Sequence, residues 1–273
     1  MKIYDNITIG SDPEYGVIDI ETGTPISCVG LLGGTKEKPI DIGNGCTKME
    51  DNVAAEITIP PVTNELDFIN YIVYGRSVVD DHLLESGCKT VATSTLKYPL
   101  SQLKTKEAQE FRCVEALDVY TRDEIMPPKV SEDYNMRSFG AHIHIGWKGE
   151  KSAKTFLPLI YMLDAYLSLP ALFIDNDRKR RELYGKAGEF RIKPYGIEYR
   201  SLGGGMLEST DRLSWIFTRT MEVIDAINNN LSIVNTVVEN KESIREAINT
   251  YDLDTAYALL NKLKIENPSK ALI

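Results

Sequence analysis

The sequence predicts an α+β fold with strands first and helices after them, and three observations predict it. Apolar and polar residues alternate with period two through much of the first sixty residues, and again around residues 140–146 and 190–200. Helical periodicity follows Asn64 and Ser152, both good N-cap residues. From Leu207 to the end the pattern is helical, without repeats or low-complexity tracts.

The elements follow in order. Ile3, Ile7 and Ile9 open an alternating strand, and Val17-Ile18-Asp19-Ile20 continues strand character up to Gly23 and Pro25. After the turn-rich Gly43-Asn44-Gly45, residues Asn52 to Ile59 alternate. Val53, Ala55, Ile57 and Ile59 share one face, Asn52, Ala54, Glu56 and Thr58 the other, and Pro60-Pro61 ends the strand. A helix capped by Asn64 carries Phe68, Ile69 and Ile72; another capped by Ser152 carries Phe156, Leu157, Ile160, Leu163 and Leu167. Cys113 to Phe139, polar and holding Pro127-Pro128, reads as a long surface loop or lid. No break in composition divides the 273 residues, so the expectation is one domain, sheet-rich to about residue 205 and helical from about 206.

Composition limits the function. A net charge of −9 and a pI near 5.0 speak against a nucleic-acid or anionic-membrane coat. No apolar run has membrane-spanning length and Met1-Lys2-Ile3-Tyr4 lacks signal-peptide layout, which points to the cytoplasm. The four cysteines, Cys28, Cys46, Cys88 and Cys113, are scattered and read as reduced structural thiols.

Four strand-like segments place reactive groups two residues apart, hence on one face. They are Asp12 with Glu14; Glu50, Asn52 and Glu56 with Asp51 beside them; His142 with His144; and Glu198 with Arg200. Each has a plain alternative. Asp12-Pro13 opens turns, Glu56 suits a solvated strand edge, and His82, on a predicted helix, is ordinary surface. The His142/His144 pair is harder to dismiss, because the chain has only three histidines and this strand is apolar and glycine-flanked. Carboxylates sharing one face repel, and bound cations would relieve that repulsion. A mostly oxygen ligand set with one or two imidazoles favours magnesium or manganese over zinc. The basic stretch from Arg178 to Arg200 supplies the complement. Arg178, Lys179, Arg180 and Arg181 read as a solvated helix face, whereas Arg191, Lys193 and Arg200 are threaded among Phe190, Ile192, Ile197 and Tyr199 and look aimed at an anion.

With these residues assembled, the chain resembles the phage-type COOH-NH2 ligases (type 2) of the glutamine synthetase and glutamate-cysteine ligase superfamily. The resemblance runs from about Gly10 to Gly205. It rests on Gly10-Ser11-Asp12-Pro13-Glu14, Gly33-Gly34-Thr35-Lys36, Asp51 to Glu56, Gly140 to Gly146, Tyr184 to Arg191 and Lys193 to Arg200. It implies a curved, mainly antiparallel sheet with helices on the convex face, and on the concave face ATP with two or three magnesium or manganese ions. By motif, Glu14 and Glu56, with Asp51, would hold one ion, and Asp12, His142 and Glu198 another. His144, Arg191 and Arg200 would contact the transferring phosphoryl group, while Lys36, Arg181, Lys186 and Lys193 are further nucleotide-binding candidates. Asp12 stands where the superfamily often has Glu.

The resemblance implies that ATP converts a carboxylate to an acyl phosphate, which an amine then opens to an amide, on small-molecule or peptide substrates. Glu115, Asp118, Asp123 or Glu124 would collect the amine proton. The C-terminal helices offer a homo-oligomer interface. A guanidino-type phosphotransferase, an HxH metallohydrolase and a catalytically silent assembly protein are the alternatives.

Overall fold

The fifteen-residue strand β1 (Asp5–Asp19) organises the molecule, because its two ends pair with different partners. The computed structural model describes residues 3–110, 116–126, 131, 134–175, 178–268 and 272. After β1 come β2 (Pro25–Ile26), β3 (Ile40–Gly43), β4 (Cys46–Asp51), β5 (Ala54–Thr58), α1 (Glu65–Leu84), β6 (Cys88–Val91), β7 (Thr95–Lys97), α2 (Lys106–Gln109) and β8 (Leu117–Asp118). Then follow β9 (Met136–Ser138), β10 (Ala141–Lys148), α3 (Ala153–Leu163), α4 (Leu169–Ala171), α5 (Arg180–Leu183), β11 (Glu189–Lys193) and β12 (Gly196–Tyr199). The chain continues through α6 (Thr210–Asn229), α7 (Leu231–Glu239), α8 (Lys241–Thr250) and α9 (Leu253–Leu263).

The main sheet runs β3-β4-β5-β1-β10-β12-β11-β8, and β2 and β6 pair with the far end of β1. Every ladder in it is antiparallel, and the fold is α+β. Alternation decides which face is covered. Ile9, Tyr15 and Val17 of β1, Ala55 and Ile57 of β5, Ile143 and Ile145 of β10, and Ile197 and Tyr199 of β12 join one buried cluster with Phe68 and Ile72 of α1, Ile160 of α3 and Phe217 of α6. Each large apolar side chain enclosed in this way contributes about 1.5–3 kcal/mol. The opposite face is left polar.

Caps fall where the sequence places them. Asn64 accepts from the Asp67 amide at the start of α1. At the start of α3 the Thr155 hydroxyl accepts from the Ser152 amide. Past α3 a π-turn over Asp164–Ser168 buries Asp164 completely. There its carboxylate accepts from the Tyr120 and Tyr199 hydroxyls and the Gly188 amide, tying β12 to the loop before β11. Burial outweighs these donors and lifts the Asp164 carboxyl to about 6.

Three expectations change. The stretch from 113 to 139 is not all loop, since β8 and β9 lie in it; Cys113, Glu115 and Pro127-Pro128 are outside the described residues. Asn52 is not a strand residue but a turn residue with left-handed φ of 56°, and Asp51 pairs with Ala54 across it. That turn resets the parity, so Met49 and Asp51 share the face of Glu56, while Glu50 points the other way. Glu50 instead accepts the amides of Gly30, Leu32 and Gly33, shaping the loop that leads to Lys36. Finally, Arg180 and Arg181 are buried rather than solvated, at 2% and 8% exposure.

Candidate active site on the polar face of the sheet

Register brings the polar residues together. Glu14 lies opposite Glu56, Asp12 opposite His142, His144 opposite Glu198, and Glu198 opposite Arg191. The strand order therefore sorts charge across the sheet. Asp51, Glu56, Glu14 and Asp12 stand on β4, β5 and β1; the histidines on β10; Arg191 and Lys193 on β11, with Arg200 just past β12. A cleft of about 400 Å³ is lined by this row except for His144, which was expected in it but stands outside, and Lys36 lines it too.

At the acidic end, oxygens of Glu14, Asp51 and Glu56 come within 4.8 Å of one another. The repulsion shows in their protonation. Burial first, then the charge of Asp51, lifts the Glu14 carboxyl to about 8, and burial with Asp51 and Asp12 holds the Glu56 carboxyl well above the ordinary range.

His142 is enclosed, with Nδ1 3.5 Å from Glu14 and 3.8 Å from Glu198, while its Nε2 has no hydrogen-bond partner. Burial and then Arg200 keep its pKa well below the ordinary value, so the imidazole is neutral. His144 Nε2 sits 2.8 Å from Asp12, its Nδ1 meets the Tyr195 hydroxyl, and the two rings stack 5.8 Å apart. Asp12 Oδ1 is buried without a partner.

Gly140 is what lets His142 lie flat, because a Cβ there would run into its Nε2. The Gly140 amide also donates to Glu14 at 2.7 Å. Gly140→Ala is expected to cost about 1–3 kcal/mol in denaturant unfolding, the range for inserting an atom into packed space, and to shift the His142 imidazole resonances. Unchanged resonances would place the conflict elsewhere.

At the basic end, Lys193, Arg191 and Arg200 converge on Glu198. Burial opposes ionisation of Glu198, but the guanidiniums of Arg200 and Arg191 outweigh it and hold its pKa well below the carboxylate range. Arg200 Nε is also 3.6 Å from Glu189 and its guanidinium lies over the Tyr184 ring.

Two residues expected to bind nucleotide are not part of the cleft. Arg181 donates to the carbonyls of Gly185 and Ser201, and Lys186 is an exposed residue whose carbonyl accepts from Ser201. Of the proton acceptors expected between 115 and 124, Glu115 lies outside the described residues and the other three do not line the cleft. Asp118 pairs with Arg245 at 3.1 Å and accepts from the Tyr120 amide; Asp123 and Glu124 are exposed, outside the cleft lining. Instead Glu107 and Glu110, at α2, line the cleft at its acidic end. His82 stands outside it, with Nδ1 2.8 Å from Lys48 and Nε2 near the Leu31 carbonyl.

Sequence reasoning missed Glu189, although it keeps the period of Arg191, and missed Tyr184 and Tyr195 within the quoted motifs. Glu107 and Glu110 carry no local signal, since Ala108 packing beside Val53, Tyr98 and Phe139 places them.

Comparison with known proteins adds a family. The family described as phage phiEco32-like COOH.NH2 ligase-type 2 matches residues 113–248. No curated protein matches the chain. Among solved structures, a novel glutamine synthase homolog has a TM-score of 0.41 at 12% identity, with 94% of this chain and 66% of that one covered. Glutamine synthetase from Plasmodium falciparum has 0.41 at 11%, covering 82% of this chain and 52% of that one. GmaS without ligand has 0.41 at 12%, covering 94% and 65%. The chain thus spans between about half and two thirds of the length of these structures. No helix among the described residues is long and apolar enough to cross a membrane.

Proposed function

We propose that this chain, matched over residues 113–248 by the phage COOH.NH2 ligase family, is an ATP-dependent ligase joining a carboxylate to an amine through an acyl phosphate. The observation that carries the reading is the sorting of charge along one cleft, with carboxylates at one end, His142 in the middle and arginines at the other. The cleft volume of about 400 Å³ falls in the range of small-ligand sites, about 300–1,000 Å³.

The residues fit divalent cations. Glu14, Asp51 and Glu56 crowd at a separation that unrelieved carboxylates disfavour, and His142 Nε2 and Asp12 Oδ1 are buried polar atoms with no partner. Glu14, Asp51 and Glu56 would hold one ion, and Asp12, His142 and Glu198 another. Bound magnesium or manganese would neutralise phosphate charge and polarise the phosphoryl group.

The chain's own groups do the rest. Arg191, Lys193 and Arg200, with Lys36, hold phosphate oxygens, and arginine forks suit the three equatorial oxygens of a transferring phosphoryl. The substrate carboxylate oxygen attacks the γ-phosphorus, the β–γ bridging bond breaks and ADP departs. The amine then attacks the acyl carbon, and phosphate leaves. Glu107 and Glu110, which line the cleft, would take the proton the amine must lose. His144, whose two ring nitrogens are taken by Asp12 and Tyr195, would orient Asp12 from beside the cleft.

Calorimetry of ATP into the purified protein checks this. Binding is expected with manganese, absent with EDTA, and weakened at least about tenfold by Glu56→Gln, the loss of one charged ligand. A hydroxylamine trap on a panel of amino acids and acyl peptides should then yield ATP-dependent hydroxamate. No metal-dependent ATP binding would sink the ligase reading.

A further inference from the structure

Glu198 is 1% exposed, yet cations from β11 and from the segment after β12 surround it. Lys193 Nζ is 2.8 Å from Oε2, Arg191 Nη1 is 3.3 Å from Oε1, and Arg200 Nη1 also bonds Oε1. Three full positive charges meet one carboxylate, an excess that a lone structural ion pair does not need. Arg191 and Arg200 hydrogen-bond Oε1 and Lys193 pairs with Oε2, so the carboxylate engages the same three cations that line the cleft, as two oxygens of a phosphate would. His142 links this group to the acidic end, with Nδ1 3.5 Å from Glu14 and 3.8 Å from Glu198. Arg200 has a second carboxylate, Glu189, at 3.6 Å, so losing Glu198 would not leave it without a counter-charge.

We propose that Glu198 is an internal stand-in for phosphate: without divalent cation it occupies Arg191, Lys193 and Arg200, and a polyphosphate binds tightly only after a cation has drawn the carboxylate away. The proposal rests on the reading of this cleft as a nucleotide site, and adds an order to it, cation first and nucleotide second. It also gives that order a use. Metal-free ATP, which would lack the charge neutralisation that phosphoryl transfer requires, is kept off the arginines until the ions are in place.

The test uses inorganic tripolyphosphate as the probe, titrated calorimetrically into the full chain in EDTA and again in manganese. Removing one negative charge in contact with the binding cations should strengthen metal-free binding at least about tenfold in Glu198→Gln relative to wild type. Manganese should tighten wild type more than it tightens the variant. Glu198→Asp, which keeps the charge on a shorter arm, should fall between the two, and thermal unfolding confirms that each variant is folded. Metal-free binding by Glu198→Gln equal to or weaker than wild type overturns the stand-in. The ligase reading fails by another route: tripolyphosphate can follow the predicted order while ATP yields no hydroxamate with any carboxylate.

Discussion

Arg180→Met unfolds at a urea concentration corresponding to a loss of about 3–5 kcal/mol, the range for breaking a buried charge away from its partners. Arg180 is enclosed and uses its guanidinium as a clamp. Nε donates to the Phe139 carbonyl at 2.9 Å, Nη1 to Ser201 at 2.9 Å and Nη2 to Arg200 at 3.2 Å. The first acceptor lies just before β10 and the other two just after β12, so one side chain ties together the ends of the strands carrying His142 and Glu198. Methionine fills much of the volume but removes a donor from each of three carbonyls, of which Phe139 keeps the Gly204 amide and Ser201 keeps Arg181, and Glu14, Glu189 and Asp175 lose a nearby positive charge. Arg180→Lys should recover less than half of the loss, because an ammonium on a shorter stem lacks the planar fork that reaches three acceptors. Gly185→Ala tests the same clamp from its other side, since a Cβ there would overlap Arg180 Nη1 at a backbone φ of +67°. A loss below about 1 kcal/mol for Arg180→Met would show that the clamp is replaceable.

Why was Arg180 invisible in the sequence when His142, Glu198 and Arg200 were not? A period of two survives any tertiary arrangement of a strand, so polar residues at alternate positions on β1, β10 and β12 could be assigned to one face before the sheet was known. Four consecutive basic residues, Arg178 to Arg181, carry no such phase. Carbonyls at two strand ends, remote in sequence, make burial of Arg180 favourable and share Arg181 with the nearby Gly185 carbonyl. The acidic strands show the limit of the period itself. Alternation carried back to Asn52 puts Glu50 and Asn52 with Glu56, but the left-handed turn at Asn52 resets the phase and substitutes Asp51. Glu107 and Glu110 mark a further limit, because α2 is only four residues long and nothing in it says which surface it will overhang.

In protein stripped of divalent cations, stability falls by about 2 kcal/mol as pH rises from 6.5 to 8, at 1.36 kcal/mol per pH unit for one proton. The cause is Glu14, whose carboxyl is lifted from 4.5 to about 8 in the folded chain. Between those values the folded carboxyl keeps a proton that the unfolded chain has released. The native state then binds more protons, and raising the pH favours unfolding. Glu56, also raised, adds in the same direction. His142 opposes them at lower pH, because its folded pKa is depressed and its contribution rises with pH until the unfolded imidazole has titrated near 6.5. Above 6.5 this opposing contribution fades and the carboxylates dominate. Urea unfolding in EDTA at half-unit pH steps gives the slope directly. Glu14→Gln should flatten most of it and be the more stable protein at pH 8, while manganese should flatten it in wild type by stabilising the ionised carboxylates that otherwise repel. A wild-type stability that is level or rising between pH 6.5 and 8 in EDTA would mean that the three carboxylates are not held together in the folded chain, and the cation-binding role of Glu14, Asp51 and Glu56 would fall with it.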